Sequence, residues 1–167
     1  NLFRDALKGN VLPINEENIL VNKAVENFIK INKHKIDVIV TTKTDCRALL
    51  NLAKQIHAKY PGSILAENSF IKKAYEDFLI GGQKIDELPE EYKKIILPIL
   101  KRASKSGEFK MKSVGVKFRK LITNFLEFKN IKHQNIATKI ASGNVLVLDD
   151  IFTNGSTFQE IFSILDT

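Results

Sequence analysis

The chain has no tryptophan, one cysteine and one methionine in 167 residues. Each shortage excludes something. A single cysteine, Cys46, cannot close an internal disulfide, which favours a reducing setting. A membrane helix needs roughly 18 or more consecutive apolar residues, and no run approaches that length. The first residues, Asn1-Leu2-Phe3-Arg4-Asp5, lack the basic start and apolar core of a secretory signal. A cytoplasmic protein without a membrane partner is therefore expected. With tryptophan missing and the phenylalanines at core-like spacings, no basic stripe interleaved with stacking aromatics stands out. Repeats, low-complexity tracts and domain linkers are also missing.

What is present is a mixed, basic chain. Its hydrophobic fraction of 44% suits a globular protein, and its length suits one domain over 1–167 with a sizeable core. The net charge is +7. A lysine-rich solubilising surface explains that charge, since lysines are spread along the whole chain. The sharper explanation is a polyanionic partner, either a multiply phosphorylated small molecule or nucleic acid.

The most informative stretch is Val145-Leu146-Val147-Leu148-Asp149-Asp150-Ile151-Phe152-Thr153-Asn154-Gly155-Ser156-Thr157. An apolar run ends in two carboxylates, a polar turn follows, and an amphipathic segment begins at Phe158. The pattern predicts a buried strand, a loop at its C-terminal end and a helix. Open α/β sheets bind ligands there, and a loop running into a helix N-terminus suits an anion. A second unit of the same form occurs earlier. A β-branched strand is expected over 36–41, a polar loop over 42–45, and a helix capped by Asp45 running to Lys59. Cys46, in the first turn of that helix, reads as structural, and His57 as a complement to the helix dipole.

Between and around these units the expectations are coarser. Asn15 should cap a helix running to Ile31, burying Ile19, Leu20, Ala24, Phe28 and Ile31, so that 1–35 forms a helical N-terminal extension. Ser63 to Ala66 suggests a short strand. Ser69 should cap a helix over 70–80 that Gly81-Gly82 stops. A helix over 87–105 should be kinked or divided by Pro98. The basic, small-residue-rich segment 101–115 has the composition of a mobile loop or a hairpin. A helix is predicted over 118–128, and a short strand within 136–140.

Asp149 and Asp150 are suited to gripping sugar hydroxyls or waters around a magnesium ion. Thr153, Ser156 and Thr157 add hydroxyls, and Gly155 allows close backbone approach to a phosphate. A polar turn that merely caps the helix is the alternative, and it needs fewer specialised residues. Residues 145–157 resemble the phosphoribosyl-diphosphate-binding signature of the type I phosphoribosyltransferases. Asp149, Asp150, Thr153, Gly155 and Thr157 agree with that pattern. Asn154 stands where a second threonine is usual, and Phe152 is bulkier than the usual aliphatic.

The resemblance implies a parallel-sheet, three-layer α/β fold, shortened here at its C-terminal end. It implies Mg2+-dependent transfer of ribose 5-phosphate from phosphoribosyl diphosphate to a nucleobase or related nitrogenous acceptor, releasing pyrophosphate. Asp149 and Asp150 would act as the catalytic carboxylates and would hold the metal through ribose or water. The 5′-phosphate would lie on Thr153, Asn154, Gly155, Ser156 and Thr157. Thr42, Lys43 and Thr44 would take the pyrophosphate, and 101–115 would be the mobile loop, with Arg102 and Lys105 as its cations. A homodimer is one assembly this reading allows, and nucleic acid is a secondary partner. A non-catalytic sensor or nucleic-acid-binding regulator of the same fold is the competing expectation.

Overall fold

A computed structural model describes residues 12–105, 109–129, 136–149 and 155–166. It is a mixed α/β structure whose main sheet is mostly parallel. The chain divides into two compact units. The first joins Asn1–Phe70 to Lys129–Thr153, and the second joins Ile71–Phe128 to Asn154–Thr167.

In the first unit, β1 (Val38–Thr42) is central and buried along its whole length. It pairs in parallel with β2 (Ile64–Lys72), whose last two residues belong to the second unit, and with β7 (Val145–Leu148). Buried on both faces, β1 is a continuous run of β-branched residues rather than an alternating one. Helices α1 (Ile14–Ile31) and α2 (Arg47–Lys59) supply one core, in which Val21, Val25, Leu49, Ala53 and Ile56 pack with Ile39. Within the segment 1–35, α1 is part of this core. Its start differs from expectation. Pro13 precedes the first turn and Asn15 lies inside the helix, because proline's fixed φ already suits a helix start. The buried face is Glu17, Val21 and Val25, a four-residue stagger, while Ile19 and Ile31 are exposed. Buried Glu17 is held by Arg47, whose Nε lies 2.8 and 3.0 Å from its two carboxylate oxygens.

Helix α2 ends at Lys59, as its apolar spacing predicts, but Cys46 rather than Asp45 precedes it. The His57 ring makes a 2.8 Å hydrogen bond with Ser63 Oγ. The expected strand near 136–140 is instead a helix, α5 (Ile136–Ser142). It leads through Gly143 into β7, and a Cβ at Gly143 would lie 2.5 Å from the Lys139 carbonyl oxygen. Only glycine fits that approach.

In the second unit, two predicted helices are absent. Residues 70–80 contain the end of β2, a 3-10 turn (Tyr75–Asp77) and β3 (Leu79–Ile80). Ser69 caps nothing: it is buried in β2 and donates to Ala66 O at 2.8 Å. Gly81 and Gly82, both at positive φ, form the two-residue turn from β3 to β4 (Gln83–Lys84). That left-handed pair is the turn geometry antiparallel hairpins favour. Residues 118–128 likewise divide, into the end of α4 (Val116–Arg119), β5 (Ile122–Thr123) and β6 (Leu126–Phe128). Left-handed Asn124 makes the corner between those strands. β3, β4 and β5 form a small antiparallel sheet.

Helix α3 (Glu90–Ala103) runs through Pro98 without dividing. It buries Ile96, Leu100 and Ala103, and Phe78 packs edge-to-face on Phe109 and Phe125. The last helix, α6 (Ser156–Leu165), ends as expected but starts two residues before Phe158, inside the signature. Among the described residues, no helix is long and apolar enough to cross a membrane.

Candidate functional site

The geometry that matters begins with the register of β1 against β7. Val38 to Thr41 sit level with Val145 to Leu148. The two strands therefore end together, and the next residue on each, Thr42 and Asp149, meets the other. Thr42 Oγ1 donates to Asp149 Oδ1 at 2.6 Å across 107 residues of sequence. A short hydroxyl–carboxylate bond of this kind fixes the carboxylate's orientation at the carboxyl edge of the sheet. Asp149 is half-buried there and lies just past the last strand residue.

Thr42, Lys43 and Thr44 thus stand beside the start of the signature, but their polar groups are largely engaged. The β1–β2 register shifts after Val40, so that Thr42 pairs with Phe70 and residues 67–69 bulge opposite Thr41. Asn68, left-handed at φ 52°, is the corner of that bulge. Its N–H donates to Thr41 Oγ1 at 2.8 Å, and its Oδ1 accepts the Thr44 N–H at 3.0 Å. The Lys43 N–H goes to Phe70 O at 2.9 Å, and the Cys46 N–H goes to Thr44 Oγ1 at 3.0 Å. Three amides that would serve an anion are spent inside the protein, as is the Thr42 hydroxyl. A pyrophosphate here would meet chiefly the exposed Lys43 side chain. Sequence reasoning missed Asn68. The one available signal was an asparagine, the residue most tolerant of a left-handed turn after glycine, inside a β-branched and aromatic run.

Asp37 sets the opposite end of the same strand pair. Its Oδ2 accepts the Asn144 N–H at 3.1 Å, and Lys35 lies 2.6 Å from Oδ1. The Lys35 hydrogen bond first, and the Asn144 amide second, hold this carboxyl below its ordinary value.

The other predicted residues fall as follows. Asp150, Thr153 and Asn154 lie outside the described residues. Gly155, at φ 78°, precedes α6, and Ser156 and Thr157 are half-buried in its first turn. These three belong to the second unit. So do Arg102, exposed in the last turn of α3, and Lys105, exposed just after it. The segment expected to be a mobile loop has packed flanks: Lys101 to Ala103 are helical, Phe109 and Val114 are buried, and Lys110 N–H donates to Ala103 O at 2.9 Å. Residues 106–108 lie outside the described residues.

Magnesium commonly uses one or two carboxylates together with substrate phosphates and water. A half-buried Asp149 at the strand end fits that kind of donor set. Among the described residues no group of three His, Cys, Asp or Glu gathers as a self-sufficient metal site. No protein family, curated protein or solved structure matches this chain.

Proposed function

We propose that the chain is a Mg2+-dependent phosphoribosyltransferase, moving ribose 5-phosphate from phosphoribosyl diphosphate to a nitrogenous acceptor. The observation that carries this reading is the Thr42–Asp149 hydrogen bond at the common end of two parallel strands. It supports a site in which the loop after β1 and the signature act together, as the motif alone would require. Asp149 and Asp150 would hold ribose hydroxyls and metal-bound water. Lys43 would neutralise pyrophosphate charge as it leaves, which is where a fixed cation contributes most to such a reaction. The metal, when bound, would supply further charge neutralisation on the diphosphate.

Isothermal titration with phosphoribosyl diphosphate, with and without Mg2+, tests the site. Binding at about 1 mM ligand or below is expected, corresponding to roughly 4 kcal/mol. Its absence at higher concentrations would end both the enzyme and the sensor readings. Pyrophosphate release across a panel of bases then separates those two. Changing Asp149→Asn together with Asp150→Asn should abolish release, and unchanged turnover would contradict their roles.

A further inference from the structure

The second unit contains a cavity of about 420 Å³ that shares Ser156 with the proposed transferase site and is otherwise lined by residues that site does not use. That volume is within the range of small-molecule pockets. Its apolar wall is built from Ile122, Phe125 and Ile164, and its polar lining includes Glu160, Arg119 and Lys120. The wall is fixed rather than loose. Left-handed Asn124 accepts from Lys73 Nζ at 2.5 Å and donates to Asp77 O at 3.0 Å, pinning the corner between β5 and β6. Arg119 is anchored through Nε to Val114 O at 2.7 Å.

Glu160 is the unusual member. It is only 8% exposed, yet its contact with the Leu126 N–H is long, at 3.5 Å. Among the described residues it forms no ion pair. A carboxylate held this far from bulk water on one long hydrogen bond gains from a further cation or N–H donor. It also lines the cavity, so a ligand can reach it. Four residues earlier on the same helix is Ser156, in the first turn of α6, where the helix dipole is positive. Ser156 lines the cavity too, as do Arg119 and Lys120. At 1.5 Å per residue the two poles are about 6 Å apart along the helix.

The geometry points to a binding site for a small zwitterion, with an ammonium or N–H donor on Glu160 and a carboxylate or phosphate toward Lys120 and the start of α6. An apolar body between the poles would rest on Ile122 and Phe125. A cation alone would be repelled by Arg119 and Lys120, and an anion alone by Glu160. The pocket therefore selects for both charges in one molecule.

The probe is 4-(aminomethyl)benzoate, titrated into the full chain while the Leu126 amide is followed by NMR. A saturable shift with Kd at or below about 1 mM is expected, with benzoate and benzylamine each about tenfold weaker or worse. Glu160→Gln should weaken binding by about tenfold or more, the loss expected for a charge-assisted contact. Binding of benzoate as tight as that of the zwitterion, or full affinity in Glu160→Gln, overturns the assignment. So does the absence of a saturable shift. Should Glu160→Gln fail to fold, Ser163→Trp decides, because it fills the cavity from an exposed position without altering the carboxylate. Loss of the Leu126 shift supports the site, and retained binding overturns it.

Discussion

Two carboxylates of the first unit, Asp149 and Asp37, stand at opposite ends of the β1–β7 pair, and each is held by a group on or beside β1. For Asp149 the holder is the Thr42 hydroxyl. Thr42→Val keeps the side chain's shape and removes that donor, so it should cost about 1–2 kcal/mol, measured by urea unfolding. If Asp149 acts on the ribose, the same variant should also lower turnover while leaving the fold's far-UV spectrum unchanged. For Asp37 the holders are Lys35 and the Asn144 amide, which depress its pKa. A carboxyl that titrates lower when folded contributes stability above its unfolded pKa of about 3.9 and loses it as pH falls through the folded value. Asp37→Asn should therefore be less stable than the parent chain above the unfolded value, and the gap should close as pH falls through the folded one. A constant gap across that window would contradict the assignment.

Glycine and asparagine corners decide the second unit at the level of elements. Gly82, at φ 86°, has open space where a Cβ would be, so Gly82→Ala tests backbone strain alone. It should cost about 1–2 kcal/mol by chemical denaturation, and Gly82→Asn less. Gly143 is the opposite case, an ordinary φ with no room. Gly143→Ala must displace Lys139 O or Asp37 and should cost about 1–3 kcal/mol. Such corners also explain what was legible in the sequence. β1, α2, β7 and α6 were readable because one local signal marked each: a β-branched run, or an apolar face with clear ends. Residues 70–80 and 118–128 have apolar residues at helical spacing, yet they are bent into short strands by the Gly81-Gly82 turn, by left-handed Asn124 and by cross-strand partners far away in sequence. Ile136, Thr138 and Ile140 alternate like a strand and still form helix α5, which shows how weak β-propensity is over so few residues. At the site, the Asp149 end was legible from the motif. The Asn68 lock on the loop after β1 was not, because it depends on a register shift between strands.

For the molecule as a whole, connectivity is the governing fact: each compact unit is made of two separate segments of chain. Neither unit is therefore available from a single cut. A chain ending at residue 128 would lack β7 and leave one edge of the buried, apolar β1 unpaired. Such a truncation should be insoluble or bind a hydrophobic dye strongly, whereas the full chain should do neither. Solubility with native-like dispersion in NMR would count against the importance of the β1–β7 pairing. The same pairing has a consequence in time. Thr42 and Asp149 are 107 residues apart, and a ribosome adds about 5–20 residues each second, so β1 waits roughly 5 to 20 s for its second neighbour to be made. During that interval a strand of Val, Ile and Thr has β2 on one side and nothing of its own on the other. The nascent chain is then most exposed to a foreign strand, and a chaperone that shields β1 during that interval should raise its yield.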